Sequence, residues 1–137
     1  MGEPRLEPRS ARSVATRWNL QHRDGPYELV FDIPTVVVAV KSDCDGCRHF
    51  YAGEHSALAN FRVILVARDA PGANEYAGAC HNVYEASELL EALDVRWPPF
   101  YVVVAPSPSR VVHEGIAFTP EQVADEIASA LGDVTAP

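Results

Sequence analysis

The sequence contains few cysteines and no long run of apolar residues. Its 137 residues include three cysteines, an odd number that is too small for a disulfide framework. No window approaches the roughly 18 consecutive apolar residues that a membrane helix needs. Residues 1–20 also lack the apolar stretch of a secretory signal or an anchor. We therefore expect a cytoplasmic protein with reduced thiols at rest and no membrane partner.

Basic residues are scarce as well. The chain has 11 Lys and Arg against 19 Asp and Glu, which gives a net charge of −8, and no basic stripe is visible. This composition argues against binding to the phosphate backbone of nucleic acids. The length and the 47% hydrophobic content are those of one globular domain. We expect a flexible arm at residues 1–17, the domain at 18–131 and a flexible tail at 132–137.

Strand and helix patterns alternate along the domain. Asp24-Gly25 between two short runs predicts an N-terminal β-hairpin, in which Pro26 requires an edge or bulged position. Thr35–Val40 is apolar on both faces and predicts a buried central strand. The order of elements predicts an α/β fold in which a mixed β-sheet has helices on both faces. The other predicted elements are a helix from Cys44 to about Asn60, a strand at Phe61–Ala67, a loop at Arg68–Asn74, a short helix at Glu75–His81, a helix at Ala86–Leu93, strands at Phe100–Ala105 and Arg110–Ala117, and a last helix that Thr119 caps and Pro120 begins.

Cys44-Asp45-Gly46-Cys47 is the strongest chemical signal in the sequence. The pair lies between a buried strand and the start of a helix, where the helix dipole and unpaired backbone N–H groups stabilise a thiolate on the first cysteine. The second cysteine follows about one turn later and can attack a mixed disulfide formed on the first. We therefore expect Cys44 to be the exposed nucleophile and Cys47 to be the resolving thiol.

With this motif, and with Pro99 about fifty residues later before a β-rich run, the sequence resembles the thioredoxin superfamily over Trp18–Leu131. The hairpin makes it most similar to the redoxin-like branch of TlpA, ResA and MauD-type proteins. The resemblance implies a thioredoxin-like fold and thiol–disulfide oxidoreductase activity on protein or small disulfides, with an unknown reductant and no cofactor. It also implies that Pro98 and Pro99 are joined by a cis bond and that the backbone there holds the substrate. Trp97 would line the same groove or would serve only in packing.

Several positions depart from the thioredoxin pattern. Asp43 stands where thioredoxins usually have Trp, and Asp45-Gly46 stand where they have Gly-Pro. Val38 occupies the position of the buried Asp that moves protons to the resolving thiol in many thioredoxins, so we expect no such relay. Lys41-Ser42-Asp43 also lack the Pro and the Thr or Ser that peroxiredoxins have before their reactive cysteine, which argues against peroxidase chemistry.

Charged residues around the motif leave the direction of electron transfer open. Asp43 and Asp45 oppose a thiolate on Cys44, whereas Arg48 and the helix N-terminus favour it. Each of these effects is about one pKa unit, or roughly 1.4 kcal/mol, or smaller. The sequence alone does not say which side is stronger.

Two other interpretations of the motif are open. The first is a thioredoxin-fold adaptor that binds a partner near Pro99 and in which the two cysteines are only structural. The second is zinc, for which Cys44, Cys47, His49 and Cys80-His81 offer enough ligands. Structural zinc usually lies in loops or knuckles rather than at the head of a helix, so we expect no metal. Cys80 by itself is most typical of a small buried residue.

Overall fold

The computed structural model describes residues 12–53, 55–77 and 82–131, and its centre is one mixed β-sheet. The eight strands of these ranges lie in the order β1-β8-β7-β4-β5-β6-β2-β3. The strands are β1 (Arg12–Ser13), β2 (Arg17–His22), β3 (Gly25–Val30), β4 (Thr35–Val40), β5 (Arg62–Ala67), β6 (Val83–Glu85), β7 (Phe100–Ala105) and β8 (Arg110–Ile116). The helices are α1 (Asp45–Ala52), α2 (Ala70–Tyr76), α3 (Ser87–Ala92) and α4 (Pro120–Leu131), with a 3₁₀ turn at His55–Leu58.

Strand β4 occupies the middle of the sheet. It pairs in parallel with β5 and antiparallel with β7, and all six of its residues are buried. A strand that is covered on both faces needs apolar side chains on both, which explains its nearly continuous run of valines. β5 and β6 are also parallel, whereas the pairs at the two ends of the sheet are antiparallel. The predicted α/β fold with a mixed sheet is therefore confirmed.

The hairpin of β2 and β3 forms one edge of this sheet. Gly25 has a φ of +130°, which L side chains rarely adopt, so the turn depends on glycine. Pro26 is on β3, opposite Gln21 of β2, and β3 pairs only with β2 in the described sheet. The edge position predicted for Pro26 is confirmed, since a residue without an N–H is tolerated where no further strand needs its hydrogen bond.

Helices cover both faces of the sheet, as predicted. On one face α1 and α4 bury Phe50 and Ile127 against β4 and β7. On the other face α3 buries Leu89 and Leu90. Among the residues that the structure describes, no helix is long and apolar enough to cross a membrane.

Helix α1 ends earlier than the sequence predicts. It stops at Ala52 rather than at about Asn60, and Gly53 after it adopts an extended conformation. Gly53 packs closely against the first turn of α4, where an added Cβ would lie 2.7 Å from Cδ of Pro120. The start of α4 agrees with its prediction, because the N–H of Gln122 donates to Oγ1 of Thr119 at 3.0 Å.

Helix α2 lies mostly where the sequence predicted a loop. We predicted the loop because of Pro71-Gly72, but a proline fits the first turn of a helix, where its missing N–H is not needed. Asp69 caps this helix by accepting a hydrogen bond from the N–H of Gly72 at 2.9 Å. The helix predicted at Glu75–His81 is therefore wrong at its start, and residues 78–81 lie outside the described residues.

The sheet includes part of the expected N-terminal arm. Strand β1 pairs with β8, and Arg12 donates to the carbonyl of Leu93 at 2.6 Å. The same guanidinium forms an ion pair with Glu114 at 3.0 Å. The remainder of the arm at residues 1–11 and the tail at 132–137 lie outside the described residues.

A hydrogen-bonded group of three side chains joins β7, β8 and α4. The Tyr101 hydroxyl donates to Oε1 of Glu126 at 2.6 Å and lies 2.8 Å from Nε2 of His113. Because a phenol has only one proton, Nε2 of His113 is the donor in the second hydrogen bond. The hydrogen bond from Tyr101 lowers the pKa of Glu126. Burial lowers the pKa of His113, and this effect exceeds the opposing attraction of Glu126 and Glu114.

The lowered pKa of His113 predicts a pH-dependent stability. The unfolded chain binds a proton at this residue near the usual value of 6.5, and the folded chain binds it only at lower pH. The free energy of unfolding is therefore greatest above about pH 7 and decreases as the pH falls through 6.5 towards the folded pKa. A His113→Gln protein keeps an N–H donor for Tyr101 but does not titrate, so its stability should depend less on pH.

Urea unfolding between about pH 7.5 and pH 5 measures this difference. The matched control is His49→Gln, because His49 is exposed on α1. We expect a smaller pH slope for His113→Gln than for the wild type and the control. Equal slopes in all three proteins would contradict the assignment.

Candidate active site

The two cysteines of the motif lie at the start of α1, directly after the central strand. Cys44 is the N-cap residue, with extended backbone angles, and Cys47 is in the first turn. Their Cα atoms are 5.2 Å apart and their sulfur atoms are joined in a disulfide. Sγ of Cys44 also accepts a hydrogen bond from the N–H of Cys47 at 3.1 Å. The sulfur of Cys44 is therefore held by a backbone donor of the helix end, as a thiolate at this position would be.

Cys44 is more exposed than Cys47, as predicted. Cys44 is 7% exposed, and Cys47 is fully buried in the same core as Phe50. We predicted that Cys44 is exposed, but in the disulfide form it is among the buried residues. It is nevertheless the more exposed cysteine of the pair.

Pro99 lies against the turn that contains both cysteines. An added Cβ on Gly46 would be 3.1 Å from both Cδ and Cγ of Pro99, so the ring occupies the space beside this glycine. The bond between Pro98 and Pro99 is cis, as the resemblance implies. The carbonyl of Pro99 accepts from the N–H of Ala117 at 3.1 Å, which fixes the segment in front of β7.

An apolar surface borders this proline segment. It consists of Trp97, Ile116 and Phe118, which are 80%, 50% and 59% exposed. Ile116 pairs with Phe100 across β7 and β8, so residues 116–118 run beside residues 97–99. At 80% exposure Trp97 does not have the packing role that the sequence left open. Three exposed apolar side chains therefore lie on the two neighbouring segments beside Pro99.

Arg48 is paired with two carboxylates beside the motif. Its Nη2 lies 2.6 Å from Oδ1 of Asp45, and its Nη1 lies 2.7 Å from Oε2 of Glu75. The hydrogen bonds that Arg48 donates to these two carboxylates raise the pKa of its guanidinium. Oε1 of Glu75 accepts from the N–H of Asp43 at 3.2 Å, so Glu75 contacts the chain on both sides of the cysteines. Sequence reasoning missed Glu75 because its contacts with Arg48 and Asp43 depend on how α2 packs beside α1, which no local pattern predicts.

Tyr76 is a second residue of α2 that the sequence did not reveal. Its hydroxyl donates to the carbonyl of Lys41 at 2.8 Å, in the segment that joins β4 to Cys44. Burial raises the pKa of Tyr76 to about 12, so the hydroxyl remains a donor at ordinary pH. The ring packs edge-on against Tyr51 of α1 at 5.4 Å. Tyr76 therefore contacts both the segment before Cys44 and helix α1.

The interior below the cysteines is apolar at the position where many thioredoxins carry an acid. Val38 is fully buried and lies between Leu65 and Tyr101 in the sheet. The zinc interpretation depended on Cys80-His81, which lie outside the described residues. Within the described ranges, no group of three or more His, Cys, Asp or Glu side chains is placed to hold a metal. His49 is exposed on α1.

No protein family model and no curated protein matches the sequence. Several solved structures do resemble the fold. A putative thiol:disulfide interchange protein DsbE from Chlorobium tepidum has a TM-score of 0.62 and 19% identity, over 85% of this chain and 94% of its own. Peroxiredoxin Q from Xanthomonas campestris has a TM-score of 0.61 and 16% identity, over 87% and 92%. The exposed lipoprotein thioredoxin of Streptococcus pneumoniae has a TM-score of 0.55 and 18% identity, over 80% and 98%.

These likenesses concern the whole fold rather than one motif. Each alignment covers at least 80% of this chain and at least 92% of the neighbour. Identities of 16% to 19% are informative about the fold alone. Together with the sheet order and the cysteine pair at the head of α1, they show that this chain has a thioredoxin-like fold.

Proposed function

We propose that this protein is a thiol–disulfide oxidoreductase that uses Cys44 and Cys47. The observation that carries the proposal is the disulfide between them at the N-terminus of α1. Cys44 is the more exposed of the two and accepts a hydrogen bond from a helix N–H. Those are the features that activate the first cysteine of a dithiol and protect the second.

In the proposed reaction the reduced dithiol transfers two electrons to a substrate disulfide. The Cys44 thiolate attacks one substrate sulfur, which forms a mixed disulfide and releases the other substrate sulfur as a thiolate. The Cys47 thiolate then attacks Sγ of Cys44 and releases the second substrate thiolate. The products are a reduced substrate, whose thiolates take up protons, and the Cys44–Cys47 disulfide. An external dithiol restores the protein by the reverse exchange.

The substrate segment is proposed to lie along the backbone of Trp97, Pro98 and Pro99. The support is the close approach of the Pro99 ring to Gly46, a residue that stands between the two cysteines. The apolar surface of Trp97, Ile116 and Phe118 would contact side chains that flank the substrate disulfide. Such contacts suit a protein substrate better than a small one. A cytoplasmic location is also proposed, and only the small number of cysteines supports it.

Serine substitutions at the two cysteines have different expected effects. Cys44→Ser removes the nucleophile and should reduce the catalysed reduction of insulin disulfides by dithiothreitol to the uncatalysed rate. Cys47→Ser cannot resolve the mixed disulfide and should accumulate covalently linked substrate, which appears as a mass increase under non-reducing conditions. The double variant is the control for the trapping experiment, because it has neither thiol of the motif.

An active Cys44→Ser protein would contradict this mechanism. If the wild type and both single variants leave the rate unchanged and Cys47→Ser traps nothing, the adaptor interpretation replaces it. These two outcomes differ. Activity in Cys44→Ser would mean that another residue is the nucleophile, whereas no activity in any of the proteins would mean that the protein does not catalyse disulfide exchange.

Trp97→Ala tests the proposed substrate surface. Loss of an exposed aromatic anchor commonly costs 1 kcal/mol or more, so kcat/KM for a protein disulfide should decrease by about five- to tenfold. The rate with a small disulfide such as cystamine should change little, because cystamine does not reach the apolar surface. Ile33→Ala is the matched control, because Ile33 is an apolar residue that is 47% exposed. It precedes the first residue of β4, whereas the cysteines follow the last, and the strand between them is about 20 Å long. An equal loss with both substrates, or with both variants, would contradict the role of Trp97.

A further inference from the structure

Arg48 is the basic residue of the helical turn that contains the cysteines. Its backbone N–H donates to the carbonyl of Cys44 at 3.0 Å, so the two residues are one turn apart. A free guanidinium at this position would stabilise the Cys44 thiolate and hence the reduced protein. A very stable thiolate makes a dithiol protein a strong oxidant.

The guanidinium of Arg48 is not free in the structure. Asp45 contacts one of its terminal nitrogens and Glu75 contacts the other. Asp45 is fully exposed and lies on the same helix, whereas Glu75 comes from α2 and is 27% exposed. Glu75 is therefore the partner that directs Arg48 towards a neighbouring helix.

Glu75 also adds its own negative charge close to Cys44. Its second carboxylate oxygen accepts from the N–H of Asp43, the residue before Cys44. The charged residues of this region are Lys41 and Arg48 against Asp43, Asp45 and Glu75, which sum to −1. Lys41 is exposed and forms no ion pair with any residue that the structure describes. The helix N–H groups thus stabilise a thiolate, and the surrounding charges oppose it.

We propose that Glu75 is a positioning residue that pairs with Arg48, withholds its positive charge from the Cys44 thiolate and thereby makes the protein more reducing. This inference rests on the proposed function and gives a structural reason for its direction, from the dithiol to the substrate disulfide. The positive charge that would favour the thiolate is used in two ion pairs, and one of these pairs depends on a different helix. The Cys44 thiolate of the reduced protein is consequently less stable, so oxidation of the dithiol to the disulfide is more favourable.

Glu75→Gln tests the proposal with a small change in shape. Glutamine keeps an oxygen for the N–H of Asp43 but loses the charge that binds Arg48. The equilibrium with a reference dithiol should move about threefold towards the reduced protein, which makes the midpoint potential roughly 14 mV less negative. A modest shift is expected because exposed ion pairs are individually weak. Cys44 of the reduced variant should also react with iodoacetamide at a lower pH than the wild type.

A double-mutant cycle with Arg48→Gln separates the two ways in which Glu75 could act. If Glu75 acts mainly by holding Arg48, then Glu75→Gln should shift the potential less in the Arg48→Gln background than in the wild type. Glu88→Gln is the control for the change in net charge. Glu88 is exposed on α3, which covers the opposite face of the sheet, so its substitution should leave the potential unchanged.

Asp45→Asn provides a second variant if Glu75→Gln fails to fold. Asp45 is fully exposed, and its substitution should shift the potential in the same direction. An unchanged or more negative potential in both variants would overturn the proposal, as would equal shifts in both Arg48 backgrounds. These failures leave a reversible cysteine pair in place, whereas failure of the proposed function would show as no reversible pair in any variant.

Discussion

The burial of β4 on both faces is the constraint on which the site depends. Hydrogen bonds to β5 and β7 hold this strand at the centre of the sheet, and a core covers each of its faces. The chain leaves the strand at Val40 and enters α1 at Asp45, so Cys44 is fixed between two rigid elements. Tyr76 supports the connecting segment from the side through the carbonyl of Lys41. The position of the cysteine pair at the head of α1 therefore depends on this strand and on the segment after it.

The surroundings of the cysteines combine an apolar and a charged side. Pro99 and the apolar surface of Trp97, Ile116 and Phe118 offer contact area to a partner. On the α2 side, Glu75 and Asp45 compensate the charge of Arg48. We propose that the apolar side contacts the substrate and that the charged side makes the dithiol more reducing. The fold neighbours, at 16% to 19% identity, show the fold alone and neither of these two properties.

Local patterns predicted much of the fold and the centre of the site. The valine run of β4, the cysteine pair before a helix and the cap at Thr119 each depend on neighbouring residues, and all three are present in the structure. The contacts of Glu75 and Tyr76 could not be predicted, because they depend on how α2 packs beside α1. The loop predicted at Arg68–Asn74 also misplaced the start of this helix. The exposure of Ile116 and Phe118 likewise depends on which strand lies next to β8, and a sequence pattern does not give that.

The most direct test of the central claim is a redox titration of the intact protein. Protein equilibrated across a dithiol/disulfide series under metal-free conditions is alkylated, and mass spectrometry then assigns the modified cysteines. We predict a reversible two-electron step at Cys44 and Cys47, with a midpoint closer to about −270 mV, as in thioredoxin, than to about −120 mV, as in a strong oxidant. If the two thiols never form a reversible pair, the account of this protein as an oxidoreductase is wrong.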